Sequence, residues 1–419
     1  MQLLGFSTQD IIAATDECVM CGLCLSHCPT YSAAKNEAES PRGRIAIVRA
    51  IHEDRLQPSQ TLLNHLDQCL GCMNCAEACP VQIDYERILD SGRLITNARH
   101  TFLYRLKQSL LRATLSRVHV RMMAKFLLRM YRGMKADSLF MKLAARFPYA
   151  LRLPLLIPGL HEPGFTRNPF ASEMQNLRVA LAPSCASDLF SDPCISSAEL
   201  VLQALGCETV RLPQNLCCGA LHQHSGDLRT AGRLIRNFCN AYGSQDFDAV
   251  ASLATGCAAH ISRYPALLNE PCTTWMSRHH VEICVLIARL QMQHKPKFRP
   301  LPETVFVHRP CTQKRVSNDP GLTEKLLSPI PGIRFEKFLD DAMCCGAGGM
   351  NIFTQAKLAD QLVQGKIAEL KSSQAGYLVT SNIGCALHFQ AQLSRSKSAI
   401  RVCHPVQLLA QQLLYSGHA

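Results

Sequence analysis

The sequence predicts an α+β chain: an N-terminal helical module that holds metal on a repeated cysteine motif, followed by two duplicated α/β domains. Three observations carry this. A Cys-x-x-Cys-x-x-Cys-x-x-x-Cys-Pro run occurs at Cys18, Cys21, Cys24, Cys28 and Pro29, and again at Cys69, Cys72, Cys75, Cys79 and Pro80, each pair 51 residues apart. A second set of cysteines recurs in the C-terminal part of the chain at offsets of 126 to 128 residues. Around that second set, short β-like runs alternate with helically spaced apolar residues, the pattern of parallel α/β units. The boundaries that follow are 1–98 for the motif-bearing module, 99–170 for a basic helical segment and linker, and 171–295 and 296–419 for the two repeats.

In the first module, three evenly spaced thiolates on a short loop reach three corners of one cubane. The fourth, ahead of proline, ligates the other cluster, as in two-cluster bacterial ferredoxins. This assigns Cys18, Cys21, Cys24 and Cys79 to one 4Fe-4S cluster, and Cys69, Cys72, Cys75 and Cys28 to the other. Zinc is the alternative, since Cys-x-x-Cys is also a zinc spacing, but zinc needs four ligands from two knuckles rather than this triplet plus Cys-Pro. Between the two runs, Ser40 and Pro41 mark a helix start, and Ile45, Val48 and Ile51, then Leu62, Leu63 and Leu66, follow helical spacing. The long spacer predicts a helical ferredoxin-like module. Arg42 and Arg44 read either as contacts to a cluster or partner, or as solvated arginines.

The chain has 419 residues, 47% of them hydrophobic, enough to bury substantial cores. Its 22 cysteines are spaced like metal ligands, and no basic-then-apolar leader opens the sequence, so a reducing cytoplasm is expected. No apolar run is long enough for a transmembrane helix. The net charge of +12 is concentrated between Arg99 and Arg152, where 13 Lys or Arg face a single acid, Asp137. There Arg117, Arg121, Lys125 and Arg129 fall at i+4 steps, beside Met122, Phe126 and Met130. This reads as a face for a membrane surface or a partner subunit, or as a solvated stripe. No recognition motif accompanies the charge, so nucleic acid is not an expected partner. Pro148, Pro154, Pro158 and Pro163, with Gly159 and Gly164, mark a linker.

In the first repeat the landmarks are Cys185, Cys217-Cys218-Gly219 and Gly256-Cys257. In the second they are Cys311, Cys344-Cys345-Gly346 and Gly384-Cys385. Each repeat places its cysteines after strands and at helix starts, which converge on the carboxyl edge of a parallel sheet. These eight are the candidate second cluster or redox site. Gly219 and Gly346 would let the backbone approach a bulky group, and neighbouring helix N-termini would favour thiolate. His260 and His388 recur three residues after the late cysteine and read as ligands or structural groups. Cys194, Cys207, Cys239, Cys272, Cys284 and Cys403 have no counterpart at the repeat offset and read as core.

These landmarks, with Cys28-Pro29-Thr30-Tyr31, Pro41-Arg42-Gly43-Arg44, His308-Arg309-Pro310-Cys311-Thr312 and Thr380-Ser381-Asn382-Ile383-Gly384-Cys385, resemble the glycolate oxidase (glycolate dehydrogenase) iron–sulfur subunits. Those belong to a wider family with duplicated cysteine-rich CCG domains, which includes subunits of heterodisulfide reductase, glycerol-3-phosphate dehydrogenase and lactate-utilisation proteins. The resemblance implies an electron-transfer subunit of a 2-hydroxy acid (glycolate) dehydrogenase complex, expected in the cytoplasm, either free or peripheral on the inner face of the cell membrane. Electrons would come from a flavoprotein partner and pass through two 4Fe-4S clusters to a quinone or other acceptor. No G-x-G-x-x-G after a strand and no Walker motif is present, so FAD is expected on the partner and the isolated chain is not expected to be catalytic. The alternatives are the lactate or glycerol-3-phosphate branch, or a thiol/disulfide enzyme. Where heterodisulfide reductase domains end in Cys-x-x-Cys, this chain has His260 and His388, which departs from the pattern of that enzyme's special cluster.

Overall fold

The computed structural model describes residues 7–133, 177–190, 193–212, 216–292 and 294–414. They form two compact units. One comprises the chain up to Ala113 with Gly219–Leu234 and Ala342–Gln364; the other comprises Thr114–Cys218, Ile235–Asp341 and the chain from Gly365 onward. The predicted linker prolines, Pro148 to Pro163, lie outside the described residues.

The first unit is helical among its described residues. Helix α1 (Thr8–Asp16) opens on a capping box in which Ser7 Oγ accepts the Asp10 N–H and the Asp10 carboxylate accepts the Ser7 N–H. Helix α2 (Pro29–Ala34) starts on the proline that follows Cys28. Helix α3 (Pro41–His52) begins where Ser40 and Pro41 predict, with Ser40 Oγ accepting the Gly43 N–H at 2.9 Å. Helices α4 (Gln60–Asp67), α5 (Asn74–Glu77) and α6 (Tyr85–Arg99) follow. Ile45 and Val48 of α3, Leu66 of α4 and Ile88 of α6 make one apolar core with the thiols of Cys69 and Cys75.

The two later segments of this unit are tied in by backbone acceptors: Asn97 Nδ2 donates to Gly226 O and Asn74 Nδ2 to Ala342 O. Gly226 has φ +71°, and a Cβ there would stand 2.1 Å from Arg93 O, so only glycine fits.

Helices α7 (Phe102–Ser116) and α8 (Val118–Gly133) carry the basic segment, and they correct its reading. Arg121 is not part of a solvated stripe: it is 1% exposed and donates to Asp188 Oδ2 at 2.6 Å, and Lys125 donates to the other oxygen of the same carboxylate. Arg117 is exposed, and the Arg129 side chain lies outside the described residues. The outward face of α8 is apolar instead, with Met122, Met123, Phe126, Leu127 and Met130 exposed; Phe102, Leu103, Leu106 and Leu110 are exposed on α7. A buried cation needs its carboxylate more than a methionine needs cover, and that sets the rotation of α8.

The second unit holds two four-stranded parallel sheets with the same order. Strands β1 (Arg178–Ala182), β2 (Glu208–Arg211), β3 (Ala249–Ser252) and β4 (His280–Glu282) pair as β2-β1-β3-β4. Strands β5 (Thr304–Val307), β6 (Arg334–Lys337), β7 (Tyr377–Val379) and β8 (Arg401–Cys403) pair as β6-β5-β7-β8. Central strands are uninterrupted apolar runs, such as Val179-Ala180-Leu181-Ala182, because helices cover both faces. One core serves both halves: Val179, Val201 and Ile287 of the first pack with Val305, Leu326 and Val406 of the second.

Candidate metal centres

The two repeated cysteine loops share one backbone shape. In the first, Met20 (φ 57°) and Gly22 (φ 83°) are left-handed; in the second, Gly71 (φ 64°) and Met73 (φ 63°) are, at the same repeat positions. A side chain in that region costs about 1–2 kcal/mol, so each methionine marks a loop held in shape by its surroundings.

Cys18, Cys21, Cys24 and Cys79 line one cavity, walled also by Cys75, Ile45 and Ile83. Burial pushes the Cys24 thiol up; the Arg42 backbone N–H draws it down, while Cys18 and Cys21 push it up further. Cys75 is held well above the ordinary thiol value, by burial first and then by the charges of Cys69, Cys28 and Cys24. Cys75 thus lies within electrostatic reach of Cys69, Cys28 and Cys24, and borders the cavity of the first set as well. Thiolates crowded into an apolar recess repel one another, and bound iron offsets that repulsion, so the donor set fits a thiolate-held cluster.

The surroundings are more polar than the motif alone reveals. Arg44 is 2% exposed rather than solvated. It donates to Glu39 Oε2, Glu39 O, Thr30 Oγ1 and His65 O, and it stands within electrostatic reach of Cys69 and Cys28. Glu39 also accepts from or shares a proton with His65 Nδ1 at 2.6 Å. Arg42 stays partly exposed, pairs with Glu37 and donates to Met20 O at 3.0 Å. The Tyr85 hydroxyl lies 3.7 Å from Cys69 Sγ, and Arg93 Nη2 donates to Cys69 O at 3.1 Å. None of these residues is a cysteine of the repeats. The Pro41-Arg42-Gly43-Arg44 run marks Arg42 and Arg44 in the sequence, but nothing local marks Glu39, His65, Tyr85 or Arg93.

In the first sheet, Cys185 follows β1 and Cys257 follows β3, on either side of the point where strand order reverses. Cys217 and Cys218 follow β2. The four form one thiol group: Cys185 hydrogen-bonds Cys217, and Cys218 hydrogen-bonds Cys217 and Cys257. Their mutual hydrogen bonds and burial hold Cys185 and Cys218 well above the ordinary thiol value. This corrects the expectation that helix N-termini would favour thiolate here. His260 is buried, meets Tyr264 edge-on, and burial lowers its pKa to about 3, so it is a neutral imidazole beside the group. Tyr264 Oη donates to Cys218 O at 2.8 Å.

In the second repeat, Cys311 is half-buried after β5, and Cys385 is buried in the first turn of helix Ile383–Arg395, whose cap Asn382 accepts the Gly384 N–H. Cys344 and Cys345 are buried, with Cys344 Sγ accepting the Gly346 N–H. Gly219 and Gly346 are left-handed (φ 87° and 83°). At Gly346 a Cβ would stand 2.8 Å from Ala359 O, so the glycine answers to a neighbouring helix. His388 is fully buried. Cys194, Cys207, Cys239, Cys284 and Cys403 are buried as core residues, and Cys272 is intermediate. Cys284 lies close to Glu282 and His404.

Two family models match the chain: the 4Fe-4S dicluster domain over residues 14–83 and the Cysteine-rich domain over 179–262 and 305–390. The chain thus joins a 4Fe-4S dicluster domain to two Cysteine-rich segments, an iron–sulfur protein of that composition. Along nearly its whole length it resembles glycolate oxidase iron–sulfur subunits. It is 28% identical to the probable glycolate oxidase iron–sulfur subunit of Bacillus subtilis (strain 168), over 96% of this chain and 94% of that one. It is also 28% identical to the glycolate oxidase iron–sulfur subunit of Escherichia coli (strain K12), over 94% and 93%. Lactate utilization protein A of Geobacillus thermodenitrificans is 23% identical over 56% of this chain and 98% of its own.

Proposed function

We propose that this chain is the electron-transfer subunit of a flavin-dependent 2-hydroxy acid dehydrogenase complex, with glycolate as the substrate. The observation that supports the reading is the pair of like-shaped cysteine loops in one helical unit, with Cys18, Cys21, Cys24 and Cys79 lining one cavity. Cys18, Cys21, Cys24 and Cys79 hold one 4Fe-4S cluster, and Cys69, Cys72, Cys75 and Cys28 the other. When bound, such clusters take up and release single electrons. The chain's own residues do the rest. Arg44 sets positive charge beside Cys69 and Cys28, Tyr85 covers Cys69, and Ile45 and Ile83 wall the inner side of the first site, whose Cys21 faces solvent. The thiol group Cys185, Cys217, Cys218 and Cys257 is a further cluster or redox site, and Cys311, Cys344, Cys345 and Cys385 are its counterpart in the other repeat.

Hydride removal from an alcohol needs a flavin or nicotinamide, so FAD sits on partner flavoprotein subunits. The exposed apolar faces of α7 and α8, with exposed Arg105, Lys107 and Arg117 among them, support contact with an anionic membrane surface from the cytoplasmic side. Among the described residues no helix is long and apolar enough to cross a membrane.

The test is to purify the chain under anaerobic conditions, alone and with its co-eluting flavoproteins. Glycolate-dependent dye reduction that needs both components is expected. Oxidation of glycolate, or reduction of a disulfide, by the isolated chain would overturn the assignment.

A further inference from the structure

The first unit contains a second recess, away from the cysteine cavity. Its floor is Arg93, Thr96 and His100 of α6 and the residue after it; α7 supplies Tyr104, Gln108 and Arg112 at i+4 steps; Ser225 and Asn351 close it. Three features of this recess need an explanation. First, it adjoins a cysteine loop. Arg93, in its floor, donates to Cys69 O at 3.1 Å, and a Cβ placed on Gly348 in its wall would stand 2.7 Å from Leu70 Cδ2. Second, it carries a chain of exchangeable protons. His100 Nε2 meets Asp67 Oδ2 at 2.5 Å, Tyr104 Oη donates to the same oxygen at 2.9 Å, and Gln108 Nε2 donates to Tyr104 Oη at 3.2 Å. His100 is 5% exposed and stacks on the Tyr104 ring at 3.9 Å. Third, two buried amide atoms in its lining, Gln108 Oε1 and Asn351 Nδ2, have no partner in the structure. One is an acceptor and the other a donor.

We infer that this recess is where the complex reduces its electron acceptor, and that the acceptor is a lipid-borne quinone. The inference rests on the electron-relay reading and names its terminal site. A quinone offers carbonyl oxygens to a donor such as Asn351 Nδ2, and its reduced form offers O–H groups to an acceptor such as Gln108 Oε1. A small anion suits the recess less well, because Arg93 is committed to a peptide oxygen and Arg112 faces Asp227 at 3.9 Å. The other face of α7 exposes Leu103, Leu106 and Leu110, so a lipid surface reaches the helix that walls the recess.

The balance is two electrons and two protons per quinone. The electrons arrive singly through the Cys69 loop, having left the hydroxy acid on the flavoprotein. Tyr104 and His100 pass protons to the two oxygens, and water resupplies them past the exposed Arg105 and His224 at the lip. Both carbonyl double bonds are lost and two O–H bonds form.

The test uses the full iron-loaded chain, with decylubiquinone and menadione as probes. Binding to the chain alone is read by calorimetry. Reduction of quinone and of a dye is read in the assembled complex. Thr354 lines the recess, and Thr354→Trp fills it. This variant is expected to weaken quinone binding and quinone reduction by about tenfold or more, with iron content and dye reduction as in wild type. Asn351→Leu replaces it should iron be lost. Tyr104→Phe is expected to keep binding within about twofold and to change the pH profile of quinone reduction. Unchanged quinone binding and reduction in both occluding variants would overturn the site. So would wild-type chain that binds inorganic phosphate there and no quinone. Absence of dye reduction by the wild-type complex refutes the relay itself and leaves the calorimetric result to judge the recess.

Discussion

Arg44→Ala removes the cation from the centre of the cluster-bearing unit. The side chain is 3% exposed and its partner Glu39 4%, and the guanidinium makes four hydrogen bonds, to Glu39 Oε2, Glu39 O, Thr30 Oγ1 and His65 O. Truncation leaves Glu39 as a buried carboxylate beside His65 without its guanidinium, and losing one member of a buried ion pair costs about 3–5 kcal/mol. That is a large part of the about 5–15 kcal/mol that holds an ordinary domain together. The expected result is an apoprotein-prone variant: lower iron content, and a guanidinium midpoint, followed by visible absorbance under anaerobic conditions, far below wild type. Arg44→Met with Glu39→Gln removes both charges, and so should recover most of the loss, because the penalty lies in the orphaned charge rather than in the missing contact. If Arg44→Ala unfolds within about 1 kcal/mol of wild type, or if the double replacement is no better than the single one, the argument from the buried pair is wrong.

Cys72→Ser should lose iron from one cluster while the far-ultraviolet spectrum of the sheet-bearing unit is kept; wild-type iron content would refute the ligand set. Asp188→Ala strands Arg121, 1% exposed, and Lys125 without their carboxylate; a cost of about 3 kcal/mol and faster proteolysis within α8 are expected. Glu282 is buried beside Cys284 and His404, and burial, opposed by the N–H groups of Val285 and Cys284, raises its pKa from 4.5 to about 7. A carboxyl raised in the fold is tolerated when protonated, so stability is full below about pH 4.5 and falls as pH rises towards 7. Linkage over that interval is worth about 3 kcal/mol. Thermal melts at pH 5 and pH 8 should differ less in Glu282→Gln than in wild type; an unchanged difference would refute the shift.

The amino-acid order by itself determined the motif loops, the start of α3 at Ser40 and Pro41, and the alternation of strand and helix that yields two parallel sheets. Each of these is local: a spacing of thiols, a cap, a run of apolar residues, written within about a dozen positions. Only the tertiary structure decided that Arg44 is buried while Arg42 is not, that Arg121 and Lys125 turn inward to Asp188, and that Tyr104 and His100 meet at Asp67. Those outcomes join residues 5 to 67 positions apart. A charged side chain carries no mark of whether it will be solvated. Its burial depends on whether the fold delivers a counter-charge to the same place, and that is a property of the packed chain, not of any stretch of it.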